Sequence, residues 1–433
     1  MERRFVAKLF FEGLSNTGES DLFVYDGSGT PIDLTADFGP DEGAGIVDGY
    51  DNEIGALDVD PGPVIAAAGG NVFFSGNYNG LDTLFVYNGT SVTELEPANA
   101  WGSGIIPQDL VADGAKVFFV GINAEGDSVL WRSKGTVAST KEVAGSPTDL
   151  GDMTLQSGIL FFRDDAQLEA FNTATGAFSA VGGPASLAPQ DLLSAYSSGL
   201  FFTPSTNLFM AGTDAAGHQN IYMQNGSTLE QFRSNVYSGG MNPEQLTGLT
   251  TLIALNSTTT LNDSGVYFSG VDNADGERGL YFVNANSGAS LTGVSKHQAI
   301  DIVASDSSGS GNGLDPYDLT AFKGELYFTG NDSYSSGRGL FVYNPATSSA
   351  TELIKSTQLD LTDGYVASWG AANAPTLAVY GGELYFGAAN PNAFGAASVN
   401  QLYEYSGSGS IFNLVSVSGQ NTIGGQPANL IRA

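Results

Sequence analysis

The segment best suited to metal chemistry is an acidic stretch between residues 36 and 62, which contains no lysine or arginine. Carboxylates and backbone carbonyls in glycine-rich loops are the ligands that Ca²⁺ prefers. The spacing does not match the twelve-residue EF-hand loop, and a solvated acidic loop is the simpler interpretation. The calcium hypothesis names as ligands Asp48, Asp51, Glu53, Asp58 and Asp60.

A second acidic turn lies between residues 271 and 277 and offers Asp272 and Asp275 as calcium ligands. The competing interpretation is a polar turn between two strands, since Asp, Asn and Gly are the residues that tight turns favour. Calcium is the one cofactor that the sequence suggests, and the predicted fold requires none.

Two tryptophans, Trp101 and Trp369, lie in long polar segments rather than in apolar runs. An exposed tryptophan can stack on a sugar ring or anchor a protein contact, so both are candidate binding residues. The alternative is that each indole holds its own loop against the body of the protein.

Catalytic patterns are sparse. His218 and His297 are the two histidines, and both have neighbours typical of loops. The sequence contains no Gly-x-Ser-x-Gly nucleophile elbow and no Walker loop. A pair of carboxylates at the mouth of a cleft could hydrolyse a glycosidic bond, and a glycan-active hydrolase or lyase is therefore the alternative function.

The net charge of −31, from 46 acids and 15 bases, excludes several partners. Nucleic acids and anionic membrane surfaces require a basic face, so neither is expected. No apolar run is long enough for membrane insertion. The chain has no cysteine, and Lys8 and Glu12 interrupt the apolar residues near the start. These features lead us to expect a bacterial protein exported without a cleavable N-terminal signal.

One sequence phrase recurs along the chain. It begins with three apolar residues, of which the second and third are mostly aromatic, and continues with a polar loop and a second apolar run. About eight copies occur at the spacing typical of propeller blades. They begin at Leu9, Val72, Val117, Leu160, Leu200, Val266, Leu326 and Leu384.

Each copy contains signals for four short strands. A Pro-x-x-Leu segment precedes most copies, as at Pro107 and Pro316, and proline is tolerated at the start of a strand. Turn pairs such as Asp26-Gly27 and Asn88-Gly89 follow the second run. The predicted fold is an all-β closed propeller of about eight four-stranded blades, with seven as the alternative. The last blade is sealed by the N- and C-terminal strands, and residues 1–433 form a single domain.

The sequence from Leu130 to Val143, which contains Leu-Trp-Arg-Ser-Lys-Gly-Thr, resembles the bacterial ELWxxDGT repeat. Asp21–Gly27 and Gly339–Asn344 resemble it more weakly, and Leu326–Gly330 resembles the strand that precedes it. The resemblance implies a propeller in a secreted or surface protein of bacteria. It implies no catalytic residues.

The long segments fall between strands two and three and between blades, which places them at one end of the sheets. We expect that end to carry any function, because rigid scaffolds present binding groups on loops. The predicted function is a non-enzymatic extracellular or cell-surface module. Its expected partners are a protein, a polysaccharide or the subunits of a larger extracellular assembly.

Overall fold

A computed structural model describes residues 8–14, 20–28, 30–35, 65–78, 81–183, 187–197, 205–225, 228–234, 240–256, 259–272, 277–284, 298–303, 314–331, 337–347, 349–361, 377–388, 401–408, 412–414 and 428–432. These residues form β-strands, turns and one 3₁₀ turn at Val137–Ser139. Within them there is no helix long and apolar enough to span a bilayer. The chain divides into two compact units, Met1–Met153 with Leu361–Ala433, and Thr154–Asp360.

The described residues of the first unit form four sheets of four strands each, and neighbouring strands in them are antiparallel. The first sheet joins both ends of the chain, in the order β3 (Ile32–Asp33), β2 (Ser20–Tyr25), β1 (Leu9–Leu14) and β32 (Ala428–Arg432). The others are β4 (Ile65–Ala68), β5 (Asn71–Tyr78), β6 (Leu81–Tyr87) and β7 (Val92–Glu94); β8 (Gln108–Asp113), β9 (Lys116–Ile122), β10 (Ser128–Ser133) and β11 (Lys141–Glu142); and β28 (Leu377–Tyr380), β29 (Glu383–Ala388), β30 (Gln401–Tyr405) and β31 (Phe412–Leu414).

Where the second unit is described, it forms two four-stranded sheets and one sheet of eight strands. The four-stranded sheets are β12 (Leu150–Gln156, crossing the boundary at Met153), β13 (Ile159–Asp164), β14 (Gln167–Asn172) and β15 (Ala177–Val181), and β24 (Tyr317–Phe322), β25 (Glu325–Asn331), β26 (Arg338–Asn344) and β27 (Ser349–Ile354). The eight-stranded sheet consists of two meanders, β16 (Gln190–Ser197), β17 (Ser205–Thr213), β18 (Gln219–Asn225) and β19 (Thr228–Ser234), and β20 (Glu244–Asn256), β21 (Thr259–Asp272), β22 (Glu277–Asn284) and β23 (Gln298–Val303). Parallel pairing of β19 with β23 joins the two meanders.

The recurring aromatic phrase forms the second strand of these meanders. Leu9, Val72, Val117, Leu160, Val266, Leu326 and Leu384 each begin the phrase inside such a strand. In the meander β16–β19 the corresponding residues are Leu208 and Phe209 in β17, both fully buried. The predicted copy at Leu200 lies outside the described residues.

Both faces of the inner sheets are buried, because the sheets stack on one another. In the first unit, Phe74 and Phe85 pack with Phe10 of the neighbouring sheet. On the opposite face of the same sheet, Phe73 packs with Trp131. In the second unit, the meander β20–β23 packs against its two neighbours in the same way, through Phe268 on one face and Phe282 on the other. Continuous apolar runs rather than strict alternation are expected of strands buried on both sides.

The Pro-x-x-Leu segments begin first strands, as predicted. Pro107 and Pro316 each stand immediately before a strand, where a missing N–H leaves no ladder bond unmade. The third residue of each segment forms a β-bulge. Asp109 and Asp318 have φ angles of 50° and 53°, and the strand register shifts across both.

The predicted pairing of the chain's two ends is confirmed. Leu9 pairs with Arg432 and Phe10 pairs with Ile431 in antiparallel register. The strand β32 therefore supplies the first strand of a sheet whose other three strands come from the start of the chain.

Candidate functional site

Of the residues predicted from the sequence, Trp101 is the best defined. It lies in the link between β7 and β8, and its indole rests on the turn between β9 and β10. A Cβ atom at Gly126 would lie only 3.0 Å from its Cζ3 atom, so the ring is in contact with the glycine. Trp101 is nevertheless 37% exposed. It both holds its own link in place and offers apolar surface to solvent.

Short backbone contacts fix the link that carries Trp101. Trp101 bridges to Gly104, and Ala100 bridges to Asn123. The Asn123 side-chain carbonyl accepts hydrogen bonds from the backbone of Glu125 and Asp127, at 3.1 and 2.9 Å. The link and the loop between strands two and three are thus at the same end of this sheet, as predicted.

The calcium hypothesis falls mostly on residues that are not described. The proposed calcium ligands that lie outside the described residues are Asp48, Asp51, Glu53, Asp58, Asp60 and Asp275. The candidate binding residue Trp369 also lies outside them. Asp272 is the last residue of β21 and pairs with Glu277. Within the described part of the chain, no three or more His, Asp or Glu side chains are placed so that they could hold one metal ion.

A pocket that the sequence did not predict lies at the other end of the sheets, where the tight turns are. It has a volume of about 390 Å³ and opens between the sheet β3-β2-β1-β32 and the sheet β28–β31. We call it the tyrosine pocket, and its lining residues are Asp26, Gly27, Tyr380, Gly381, Glu383, Tyr385, Glu404 and Ser406.

The walls of the tyrosine pocket are packed aromatic rings. The Tyr385 ring meets Tyr25 edge-on, with centroids 6.0 Å apart, and Tyr380 at 5.9 Å. All three tyrosines are buried, so their rings have little freedom to move. Tyr380 and Tyr385 therefore line a rigid cavity rather than a flexible surface, and Tyr25 packs behind Tyr385.

Burial raises the pKa of the Tyr385 phenol, and the neighbouring Glu404 carboxylate raises it further. The pKa of Tyr25 is raised for the same reasons, with Asp26 adding to the effect. Both phenols therefore keep their protons at neutral pH and remain hydrogen-bond donors. The Tyr385 hydroxyl donates to Glu404 Oε2 at 3.2 Å.

Glu404 is unusual when the sheets are compared. Its partner across the strands is Tyr385, the middle residue of the aromatic phrase. In the equivalent pairs of the other sheets, the same position is apolar in six cases and is an arginine in one. Those residues are Val24, Val86, Arg132, Ala170, Met223, Phe282 and Val342. A carboxylate at a position that is apolar in six of the seven other sheets breaks the repeat pattern, which is expected of a functional position.

Glu383 is also distinctive, and its equivalent Glu325 provides the comparison. Glu325 accepts hydrogen bonds from the Tyr327 hydroxyl at 3.1 Å and from the Asn344 amide at 2.8 Å. In the tyrosine pocket the equivalent tyrosine donates to Glu404 instead. The residue equivalent to Asn344 is Ser406, and its hydroxyl donates to Ser408. Glu383 Oε2 is buried, and because both donors are engaged elsewhere it has no hydrogen-bond partner among the described residues.

The residues that resemble the ELWxxDGT repeat have structural roles. Trp131 is fully buried and stacks on Phe119, with ring centroids 6.3 Å apart. Gly135 has a φ of +88°, which favours glycine. The Thr136 side chain caps the 3₁₀ turn that follows.

Comparison with known proteins gives a short partial family match and several distant structures. The RimK-like ATP-grasp domain family matches residues 219–305, well under half of the chain. The described residues in that range form strands β18 to β23. Arg278, a base in this range, is engaged with Asn242 and Glu244. No curated protein sequence matches the chain.

Among solved structures, the chain is similar to a puromycin-hydrolysing peptidase of Mycobacterium tuberculosis, with a TM-score of 0.47 and 11% identity over 95% of this chain and 53% of that chain. It is similar to the β-propeller domain of the Trilobed protease from Pyrococcus furiosus, with a TM-score of 0.41 and 10% identity over 83% of this chain and 99% of that chain. It is also similar to PorZ, a surface component of the type-IX secretion system of Porphyromonas gingivalis, with a TM-score of 0.42 and 10% identity over 85% of this chain and 48% of that chain. The chain spans about half the length of the peptidase. Likenesses this distant do not assign an activity to the chain.

Proposed function

We propose that this chain is a non-catalytic binding and structural module of an extracellular or cell-surface assembly in bacteria. Its architecture would be a closed propeller of about eight blades. The stacking of four-stranded sheets and the pairing of β32 with β1 support that architecture. The resemblance to the ELWxxDGT repeat supports a secreted or surface setting.

The observation that carries the binding function is the placement of Trp101. A tryptophan held by backbone bridges and by contact with Gly126 loses little conformational entropy when it binds. Its exposed indole face can stack on a sugar ring or enter a pocket on a protein. The net charge of −31 favours partners that are neutral or basic.

The test compares Trp101→Ala with the unaltered chain. Binding to xyloglucan, chitosan and polygalacturonate is measured by calorimetry, and self-association is measured by light scattering. We expect binding to one of these polymers, or self-association, to weaken at least about tenfold in the variant, as is typical of a central tryptophan. The matched control is Val137→Ala, because Val137 is also an exposed apolar residue, 47% exposed, in the turn at the opposite end of the same sheet.

Two outcomes would contradict the proposal. The first is an unchanged profile for Trp101→Ala across all of these measurements. The second is release of new reducing ends or unsaturated sugars from any of the polymers. That release would identify the alternative function, a glycan-active hydrolase or lyase.

A further inference from the structure

The tyrosine pocket has a chemistry that selects a particular kind of ligand. Three carboxylates, Asp26, Glu383 and Glu404, line one cavity whose walls are buried tyrosine rings. Hydrogen bonds from Ser28 lower the pKa of Asp26, and the charge of Lys8 lowers it further, so one positive charge partly balances the three negative ones. The pocket therefore has an excess of negative charge and of hydrogen-bond acceptors.

The unmet acceptor in the pocket distinguishes Glu383 from the equivalent Glu325. Glu325, at the equivalent position of β25, receives one hydrogen bond from a tyrosine and one from an asparagine. Glu383 receives neither, and its Oε2 atom is buried. A buried carboxylate oxygen without a donor costs free energy, so a ligand that supplies a donor would be favoured.

We propose that the tyrosine pocket binds the cationic end of a lysine or arginine side chain on a partner protein. An ammonium or guanidinium group supplies several donors and a positive charge, which fits both Glu383 and Glu404. The buried tyrosine rings add a favourable surface for a cation. The cavity of about 390 Å³ is large enough for one such side chain. This inference deepens the proposed binding function by naming a partner class, and it does not depend on Trp101.

The first test uses two synthetic peptides that differ only in charge: one lysine flanked by glycines, and the same peptide with norleucine in place of lysine. Binding to the full chain is followed by calorimetry or NMR at low salt. We expect the lysine peptide to bind at least about tenfold more tightly than the norleucine peptide. Binding should weaken as salt screens the charges.

Two variants of the pocket and one control make the test specific. Glu404→Gln removes a charge and should lower affinity about tenfold. Ser406→Asn introduces the donor that Asn344 provides in the other sheet, so it should satisfy Glu383 and lower affinity without any change in charge. Glu325→Gln is the matched control and should leave affinity unchanged. Thermal melting of each variant checks that the fold is intact.

The source of the cation is decided by competition with spermidine. The proposal is supported if the lysine peptide binds and spermidine displaces it only weakly. Spermidine that binds more tightly than the peptide would contradict a protein partner. Equal binding of the norleucine peptide, or binding of Ca²⁺ alone with the same sensitivity to Glu404→Gln, would overturn the proposal. None of these outcomes depends on the polymer tests of Trp101.

Discussion

At Tyr385, burial and a neighbouring negative charge shift the pKa of the phenol in the same direction. Its pKa is raised above the ordinary value of 10.0, first by burial and then by Glu404. The unfolded chain loses this proton near pH 10, whereas the folded chain keeps it. The contribution to stability is therefore complete below about pH 10 and is lost as the pH rises further, by at most about 1.4 kcal/mol per pH unit for one phenol.

The substitution Tyr385→Phe tests this linkage. Between about pH 9 and 11, the free energy of unfolding of the variant should fall less steeply with pH than that of the unaltered chain. The difference in slope should approach that of one proton, because the variant lacks the Tyr385 phenol that ionises in the unfolded state. The measurement is the free energy of unfolding in urea across that range. Parallel curves for the variant and the unaltered chain would show that the Tyr385 phenol ionises equally in both states.

At the scale of the element, the meanders depend on close packing between a glycine in the second strand and an aromatic ring in the third. A Cβ atom at Gly121 would lie 2.9 Å from the Ile105 carbonyl oxygen and from Trp131 Cδ1. Likewise, a Cβ atom at Gly270 would lie 2.8 Å from Cδ2 of the Tyr281 ring. Glycine is used here for the space it leaves, since neither position requires a positive φ.

Gly121→Ala should therefore destabilise the chain by about 1–3 kcal/mol, because the added methyl group must displace a backbone carbonyl or a buried indole. Gly102→Ala is the control, because a Cβ atom at Gly102 would meet no atom within 4 Å. Denaturant unfolding of the two variants gives the comparison. Equal stability of both would indicate that the meander adjusts freely to the extra volume.

The elements were predictable from the sequence because each second strand repeats the same aromatic phrase. The predicted copy at Leu200 lies outside the described residues, and the described second strand of that meander carries a second apolar phrase, at Leu208. Local pattern alone cannot choose between the two phrases. The tyrosine pocket was missed because long loops, rather than tight turns, were expected to carry function. The signal that could have revealed it is the alignment of Glu404 with residues that are apolar in six of the seven other sheets.

At the scale of the whole molecule, every described meander has apolar residues on both of its faces. A sheet of this kind is stabilised by the neighbouring sheets that cover its faces. The same reasoning explains why the sheet that joins the chain's two ends is a critical point. Without β32, the strand β1 would present unpaired backbone groups along one edge.

Removal of residues 428–433 should therefore lower the melting temperature by several degrees and promote aggregation, since the exposed edge of β1 can pair with another chain. A synthetic peptide with the sequence of residues 427–433, added in trans, should restore the melting temperature by adding a strand to that edge. The same peptide with proline at Ile431 is the control, because its proline cannot donate a ladder hydrogen bond opposite Phe10. A truncated chain that stays monomeric and melts unchanged would mean that the other sheets hold the fold without the joined sheet. Rescue by both peptides alike would mean that the effect does not come from strand pairing.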